Sequence, residues 1–223
     1  MATFVLIPGA GGVAWYWHRI VPLLAAGGHT AVPVELPGDD ERATLRTYAD
    51  RVIAAIDGRA DLVVVAQSLG GFTAPLVCER VPVRMLVLVN AMIPIPNEVV
   101  GEWSDHTGST AARIAAAERG GYTTTFEEAT YFMHDVPPDV AAAGEEHERP
   151  QAETIFADRC EFGRWPEVVR VIAGRDDRLF PLELQQRVAA ERLGVRVDVI
   201  GGGHLVALSN PRALAAQLVS YLA

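Results

Sequence analysis

The chain contains no lysine; all 19 of its basic residues are arginine. That absence removes whole chemistries, because Schiff-base catalysis, a phosphate-loop lysine and a serine/lysine dyad each depend on a lysine amine. Cysteine is almost as scarce. Cys78 and Cys160 fit neither a disulfide framework nor a metal cluster and read as two small core residues. The amino-terminal stretch has only a short apolar run, Phe4 to Ile7, with no basic flank, so neither a signal peptide nor a membrane span is expected. A soluble, cytoplasmic protein is the resulting expectation. Positive charge is also short, 19 basic against 28 acidic residues for a net charge of -9, which argues against nucleic acid or an anionic membrane surface as partner. Residues 97–165 hold 14 acidic and 5 basic side chains and so account for the whole excess. No Asp-x-Asp loop pattern occurs there, and the segment reads as solvated helical surface with no metal site.

What is present points to an α/β architecture. At 223 residues the chain is long enough for one domain with a large core. Apolar runs rich in β-branched residues recur at Thr3 to Ile7, Ala31 to Leu36, Leu62 to Ala66, Met85 to Asn90, Val168 to Ala173 and Val195 to Ile200, which predicts about six strands. Helical patterns alternate with them: Leu45, Tyr48, Val52 and Ile56 mark one face, and Leu182, Leu184, Val188 and Leu193 another. Asn210-Pro211 supplies an N-cap and first-turn proline for a last helix. Such alternation predicts mostly parallel strands flanked by helices. The rhythm breaks after Asn90, where about seventy residues pass before the next strand, longer than an ordinary connection. This insertion has Ala/Glu-rich helical stretches at Thr110 to Arg119 and Thr125 to Met133, and prolines at Pro137-Pro138 and Pro150. The expected organisation is a core of residues 1–93 and 166–223 with a helical lid over 94–165.

Ser68 lies in Ala66-Gln67-Ser68-Leu69-Gly70-Gly71, directly after an apolar run, where a nucleophile on a tight strand-to-helix turn is expected. Such a turn needs small residues two positions before and after the serine; glycine is usual at both, so Ala66 is a departure. A serine capping a structural helix start is the other reading of the motif alone. In an open parallel sheet, functional groups gather beyond the carboxyl ends of the strands. The loops there carry Pro8-Gly9-Ala10-Gly11-Gly12, Ser68, Gly174-Arg175-Asp176-Asp177 and Gly201-Gly202-Gly203-His204. Their order, Ser then Asp then His, is that of serine hydrolases on this type of sheet. Ser68 would attack a carbonyl, His204 would take its proton, and Asp177 would orient the imidazole. The backbone N–H groups of Leu69 and Ala10 are the candidate oxyanion donors.

These motifs resemble the α/β-hydrolase superfamily, and within it the small plant methylesterases and hydroxynitrile lyases. The resemblance runs through Phe4 to Leu24, Gln67 to Gly71, Asp177 to Pro181 and His204 to Pro211. It implies an α/β-hydrolase fold and favours Asp177 over Asp176 as the histidine's partner. Pro8 stands where the family commonly has histidine. Lyases of this branch resemble one another in a first-loop threonine and a lysine after the histidine; Gly9 and Leu205 stand there instead, on the esterase side.

Gly9 and Leu205 join Trp103, Phe126, Tyr131, Phe132 and Met133 as candidate pocket residues, with helical packing as the alternative for the aromatic ones. His18, His29, His106, His134 and His147 read as surface or lid histidines. The expected activity is carboxylesterase-like hydrolysis of a small, largely apolar ester, thioester or lactone through an acyl-enzyme on Ser68, with no cofactor. Rival readings are a lyase or cyclase, a small-molecule receptor on the same fold, and a dinucleotide enzyme. The last is suggested by Gly9-x-Gly11-x-x-Ala14 after a strand and by Glu35 at the end of the next. Oligomeric state is left open by the sequence.

Overall fold

The computed structural model describes residues 1–223. Strands β1 (Thr3–Ile7), β2 (Thr30–Pro33), β3 (Leu62–Gln67), β4 (Met85–Val89), β5 (Val169–Gly174) and β6 (Val197–Ile200) form one sheet in the order β2-β1-β3-β4-β5-β6. Every pairing is parallel, not merely most. Helices α1 (Val21–Ala26), α2 (Leu45–Ile56) and α3 (Gly70–Cys78) precede β4; α4 (Trp103–Thr107), α5 (Ser109–Gly120), α6 (Glu128–Tyr131) and α7 (Pro138–Gly144) lie between β4 and β5. Helices α8 (Leu182–Leu193), α9 (Val206–Ser209) and α10 (Pro211–Ser220) follow β5. No helix is long and apolar enough to cross a membrane.

Crossover helices cover both faces of a parallel sheet, which is why the central strands β1, β3 and β4 are buried along their whole length instead of alternating. Val5, Ile7, Val64, Ala66, Leu86 and Leu88 belong to one apolar cluster with α2, α3 and α8; Phe4, Leu6, Val63, Val65, Val87 and Val89 belong to another with α1, α9 and α10. Helix α2 is anchored by Leu45, Tyr48, Val52 and Ile56. Each large apolar side chain buried this way contributes about 1.5–3 kcal/mol relative to exposure, so packing more than propensity holds the helix. Its start is capped by the Thr44 side chain, which accepts the Thr47 N–H at 3.2 Å. Asn210 caps α10 in the same way through Ala213 N–H.

Two strands are shorter than their apolar runs. After Pro33 the chain leaves the sheet and Leu36 N–H donates to Gly12 O at 2.8 Å, so Val34 and Leu36 stay buried without being strand. Before β6, left-handed Gly194 ends α8 and Val195 N–H turns back to Ala189 O. In the insertion the expected helix over Thr125 to Met133 is reduced to the single turn of α6. The base of this segment shares the main core, since Val100, Trp103, Ile155, Cys160 and Phe162 all join the α2/α3/α8 cluster. It is tied down by Glu98, whose carboxylate receives Arg192 Nη1 at 2.6 Å and Nη2 at 2.9 Å in a fully buried position.

Candidate active site

Ser68 stands between β3 and α3 with φ 50°, a left-handed conformation that costs a non-glycine residue about 1–3 kcal/mol. Its carbonyl accepts the N–H groups of Gly71 and Met92, both at 3.0 Å, and this holds the turn. The following glycines are steric necessities: a Cβ at Gly70 would meet Pro8 O at 2.5 Å, and one at Gly71 would meet Met92 O at 1.8 Å. Ala66 sits fully buried inside β3, and its methyl belongs to the apolar cluster, so the turn accommodates this departure from glycine.

The three loops bring Ser68, His204 and Asp177 into one line. His204 Nε2 is 3.1 Å from Ser68 Oγ, and His204 Nδ1 is 2.9 Å from Asp177 Oδ2. With Nδ1–H donated to the carboxylate, Nε2 is free to accept the serine proton. Asp177 is itself fully engaged: Oδ1 accepts the backbone N–H groups of Leu179 and Phe180 at 2.9 Å each, and Oδ2 also accepts Gln185 Nε2 at 3.2 Å. Phe132 stacks on the His204 ring and Phe180 meets it edge-on. Asp176 points elsewhere, pairing with Arg175 and accepting Gly202 N–H.

The first loop approaches Ser68 closely. A Cβ at Gly9 would lie 2.8 Å from Ser68 Cβ, so this backbone leaves no room for a threonine there. Gly11 N–H donates to Gln151 Oε1 and Gly12 N–H to Gly9 O, whereas the N–H groups of Ala10 and Leu69 have no acceptor within the protein. Two unspent donors beside a serine hydroxyl that is hydrogen-bonded to a histidine are what an oxyanion would require.

Ser68, His204, Gly9, Ala10, Phe132, Met133 and Leu205 line a cavity of about 520 Å³. Three sequence candidates do not. Trp103 is 3% exposed in the main core, packs against Phe180 and donates its indole N–H to Ile93 O. Tyr131 packs inside the insertion, under the Arg113 guanidinium and donating to Thr123 O. Phe126 is half exposed and stacks on Tyr131. Because α6 is only one turn long, its aromatic residues follow no helical face toward the cavity. The cavity also has residues that the sequence reading passed over. Tyr16 and Trp15 come from the first loop, and Glu128, His147 and Arg149 from the insertion. Partial desolvation and the nearby Glu148 raise the Glu128 carboxyl above its ordinary range.

Asn90 was also missed. Buried at the end of β4, it donates to Gly203 O and His204 O and accepts Gly174 N–H, linking β4, β5 and the histidine loop. A polar residue closing an apolar strand was the available signal; for Gln185 there was none. The helix that a dinucleotide loop would open is here a single 3-10 turn, Ala14–Trp17, and Glu35 is occupied by Ala14 N–H and Arg149.

The alpha/beta hydrolase family matches residues 4–217 of the chain. Norfluorocurarine synthase 1 of Strychnos nux-vomica is 32% identical over 120 residues, 45% of each chain, so that match spans less than half of the relative's length. Salicylic acid-binding protein 2 of Nicotiana tabacum is 26% identical over 253 residues, covering 97% of this chain and 95% of that one. Among solved structures, polyneuridine aldehyde esterase superposes with a TM-score of 0.82 over 100% of both chains at 20% identity, a likeness of fold.

Proposed function

We propose, from the premise that this chain belongs to the alpha/beta hydrolase family, that it is a serine esterase working through an acyl-enzyme on Ser68. The observation that carries this reading is the unbroken hydrogen-bonded line Asp177–His204–Ser68, ending in a cavity beside two unspent backbone donors. In the first half-reaction Ser68 Oγ attacks the ester carbonyl while His204 Nε2 takes its proton. The carbonyl oxygen becomes an oxyanion facing the N–H groups of Ala10 and Leu69, each such donor being worth about 3–4 kcal/mol in the transition state. The carbon–oxygen bond to the alcohol then breaks, and His204 returns the proton to the departing alkoxide. In the second half, water gives a proton to His204 and its hydroxide equivalent to the acyl carbon, releasing the acid and restoring Ser68.

The cavity supports a small, largely apolar ester, thioester or lactone, since Val13, Phe132, Met133, Leu205 and Leu208 form much of its wall. The insertion acts as the lid of that cavity, to which it contributes Glu128, Phe132, Met133 and the 147–150 segment. A fluorophosphonate probe should label Ser68, and Ser68→Ala should abolish both labelling and hydrolysis of p-nitrophenyl esters. A wild-type protein that is neither labelled nor active across acyl lengths would refute the esterase reading.

A further inference from the structure

The geometry points to Gln151, a residue of the insertion outside the cavity, as the positioning residue that aims the Ala10 oxyanion donor. This assignment rests on the serine-esterase reading above.

The first loop is inherently loose. Gly11 and Gly12 have φ of 79° and 71°, in a region that glycine enters and leaves at little cost. Ala10 N–H belongs to the Gly9–Ala10 peptide, and a trans peptide places its N–H opposite its carbonyl. That carbonyl, Gly9 O, accepts Gly12 N–H at 3.1 Å, so the direction of Ala10 N–H depends on the closed turn from Gly9 to Gly12. Between the two lies the Ala10–Gly11 peptide. A flip of this peptide alone exchanges one turn type for another and keeps the Gly9 O to Gly12 N–H bond; letting go of its N–H instead frees the turn to open about Gly11 and Gly12, which swings Ala10 N–H away from Ser68. That peptide N–H is held by one group, Gln151 Oε1, at 3.1 Å.

Gln151 is itself fixed at three points. Its Nε2 lies 3.0 Å from both Gly38 O and Tyr48 Oη, and 3.3 Å from Ala152 O. Ala152 N–H donates to Gly38 O at 2.7 Å. Gly38 presses on the same turn from below, where a Cβ would meet Gly11 O at 2.2 Å. Arg149 closes the other side: its guanidinium reaches Leu36 O, and its own carbonyl lies where a Cβ on Gly11 would fall. The returning limb of the insertion thus clamps the oxyanion loop through a side-chain amide, 140 residues away in sequence. Substrate need not touch Gln151 for its loss to be felt in the transition state.

The test compares wild type, Ser68→Ala, Gln151→Met and Gln151→Glu in steady-state hydrolysis of p-nitrophenyl butyrate, with folding followed by thermal melts. Gln151→Met keeps the volume and removes the acceptor; it should lower kcat about tenfold or more with KM unchanged within about twofold, because the oxyanion forms only after binding. Gln151→Glu keeps an acceptor for Gly11 N–H but turns its second oxygen on Gly38 O and Ala152 O, so in folded protein it should recover kcat at least about threefold over Gln151→Met while melting no higher than it. A Gln151→Met enzyme with wild-type kcat, measured where Ser68→Ala is inactive, overturns the positioning role and leaves the esterase reading standing. A loss that Glu fails to restore in folded protein also overturns it, assigning Gln151 to packing alone. If Gln151→Met does not fold, Gln151→Leu takes its place under the same kcat and KM criteria. Hydrolysis that survives Ser68→Ala, or is absent from wild type, overturns both readings together.

Discussion

Asp177→Asn should cost far more activity than the loss of one charge suggests, because the site dictates which way the new amide points. The carboxylate faces four donors: Leu179 N–H and Phe180 N–H on Oδ1, His204 Nδ1–H and Gln185 Nε2–H on Oδ2. An asparagine has one oxygen to give. Turning it toward His204 would place its NH2 against two buried backbone N–H groups that cannot move, at about 1–3 kcal/mol for each donor left unsatisfied. Turning it toward the backbone places the NH2 against His204 and Gln185. His204 can adapt by changing tautomer, whereas Gln185 is held by its Nε2 bond to Phe180 O at 2.7 Å and keeps a donor facing the amide. With His204 adapted, one donor is stranded in the second orientation against two in the first, so the second wins by about 1–3 kcal/mol. It makes His204 Nδ1 an acceptor and leaves the ring proton on Nε2, the nitrogen that must receive the serine proton. The expected result is a fall in kcat of about 10²-fold at neutral pH, rising toward about 10⁴-fold the more completely the histidine is held in the wrong tautomer. Hydrolysis of p-nitrophenyl butyrate and the rate of fluorophosphonate labelling should fall together. Asp176→Asn should lose little, because Asp176 meets only Arg175 and the Gly202 backbone. Asp177→Asn within tenfold of wild type, or the reverse ranking of the two variants, would refute the orientation argument.

Two further expectations concern stability. Glu98→Gln leaves the Arg192 guanidinium buried without its counter-charge and should cost about 3 kcal/mol in urea unfolding. Exchanging both partners for apolar side chains should cost less than the single change, and a single-variant loss below about 1 kcal/mol would show the pair to be unimportant. Glu128, exposed at the cavity wall, has its carboxyl raised by partial desolvation and by Glu148, so the folded state favours its neutral form more than the unfolded chain does. The stability this gives is present below the ordinary glutamate range and is lost as pH rises through the raised value. Glu128→Gln should thus match wild type in thermal melts at pH 3 and exceed it at pH 7; no difference at pH 7 would disprove the assignment.

The sheet was legible because its central strands are buried on both faces and so stand out as unbroken apolar runs. The same rule overran at β2 and β6, where Val34 and Leu36 remain buried after the chain has left the ladder, and Val195 precedes the strand beyond a helix-ending glycine. Ser68, Asp177 and His204 attracted attention through glycine-rich loops in a particular order, a pattern carried by neighbouring residues. Gln185 and Gln151 carry no such local mark, and Asn90 has only its place at the end of an apolar strand. Their partners lie some 80 to 140 residues away, apart from the contacts of Gln185 with its own loop, and only the folded chain defines them. The aromatic residues of the insertion misled for a different reason. Composition favoured helix from Thr125 to Met133, but one turn forms, and a helical wheel says little about which way Phe126 and Tyr131 face.

The insertion is sewn to the core at several separate places: Glu98 to Arg192, Gln151 to Gly11 and Gly38, and Asp135 to Gly203 N–H. It is therefore not an interchangeable module. Grafting 94–165 onto a related scaffold would strand Arg192 without its carboxylate and release the loop at Gly11. A chimera that transfers the segment must carry these receiving positions along with it, so the smallest exchangeable unit in this chain is discontinuous.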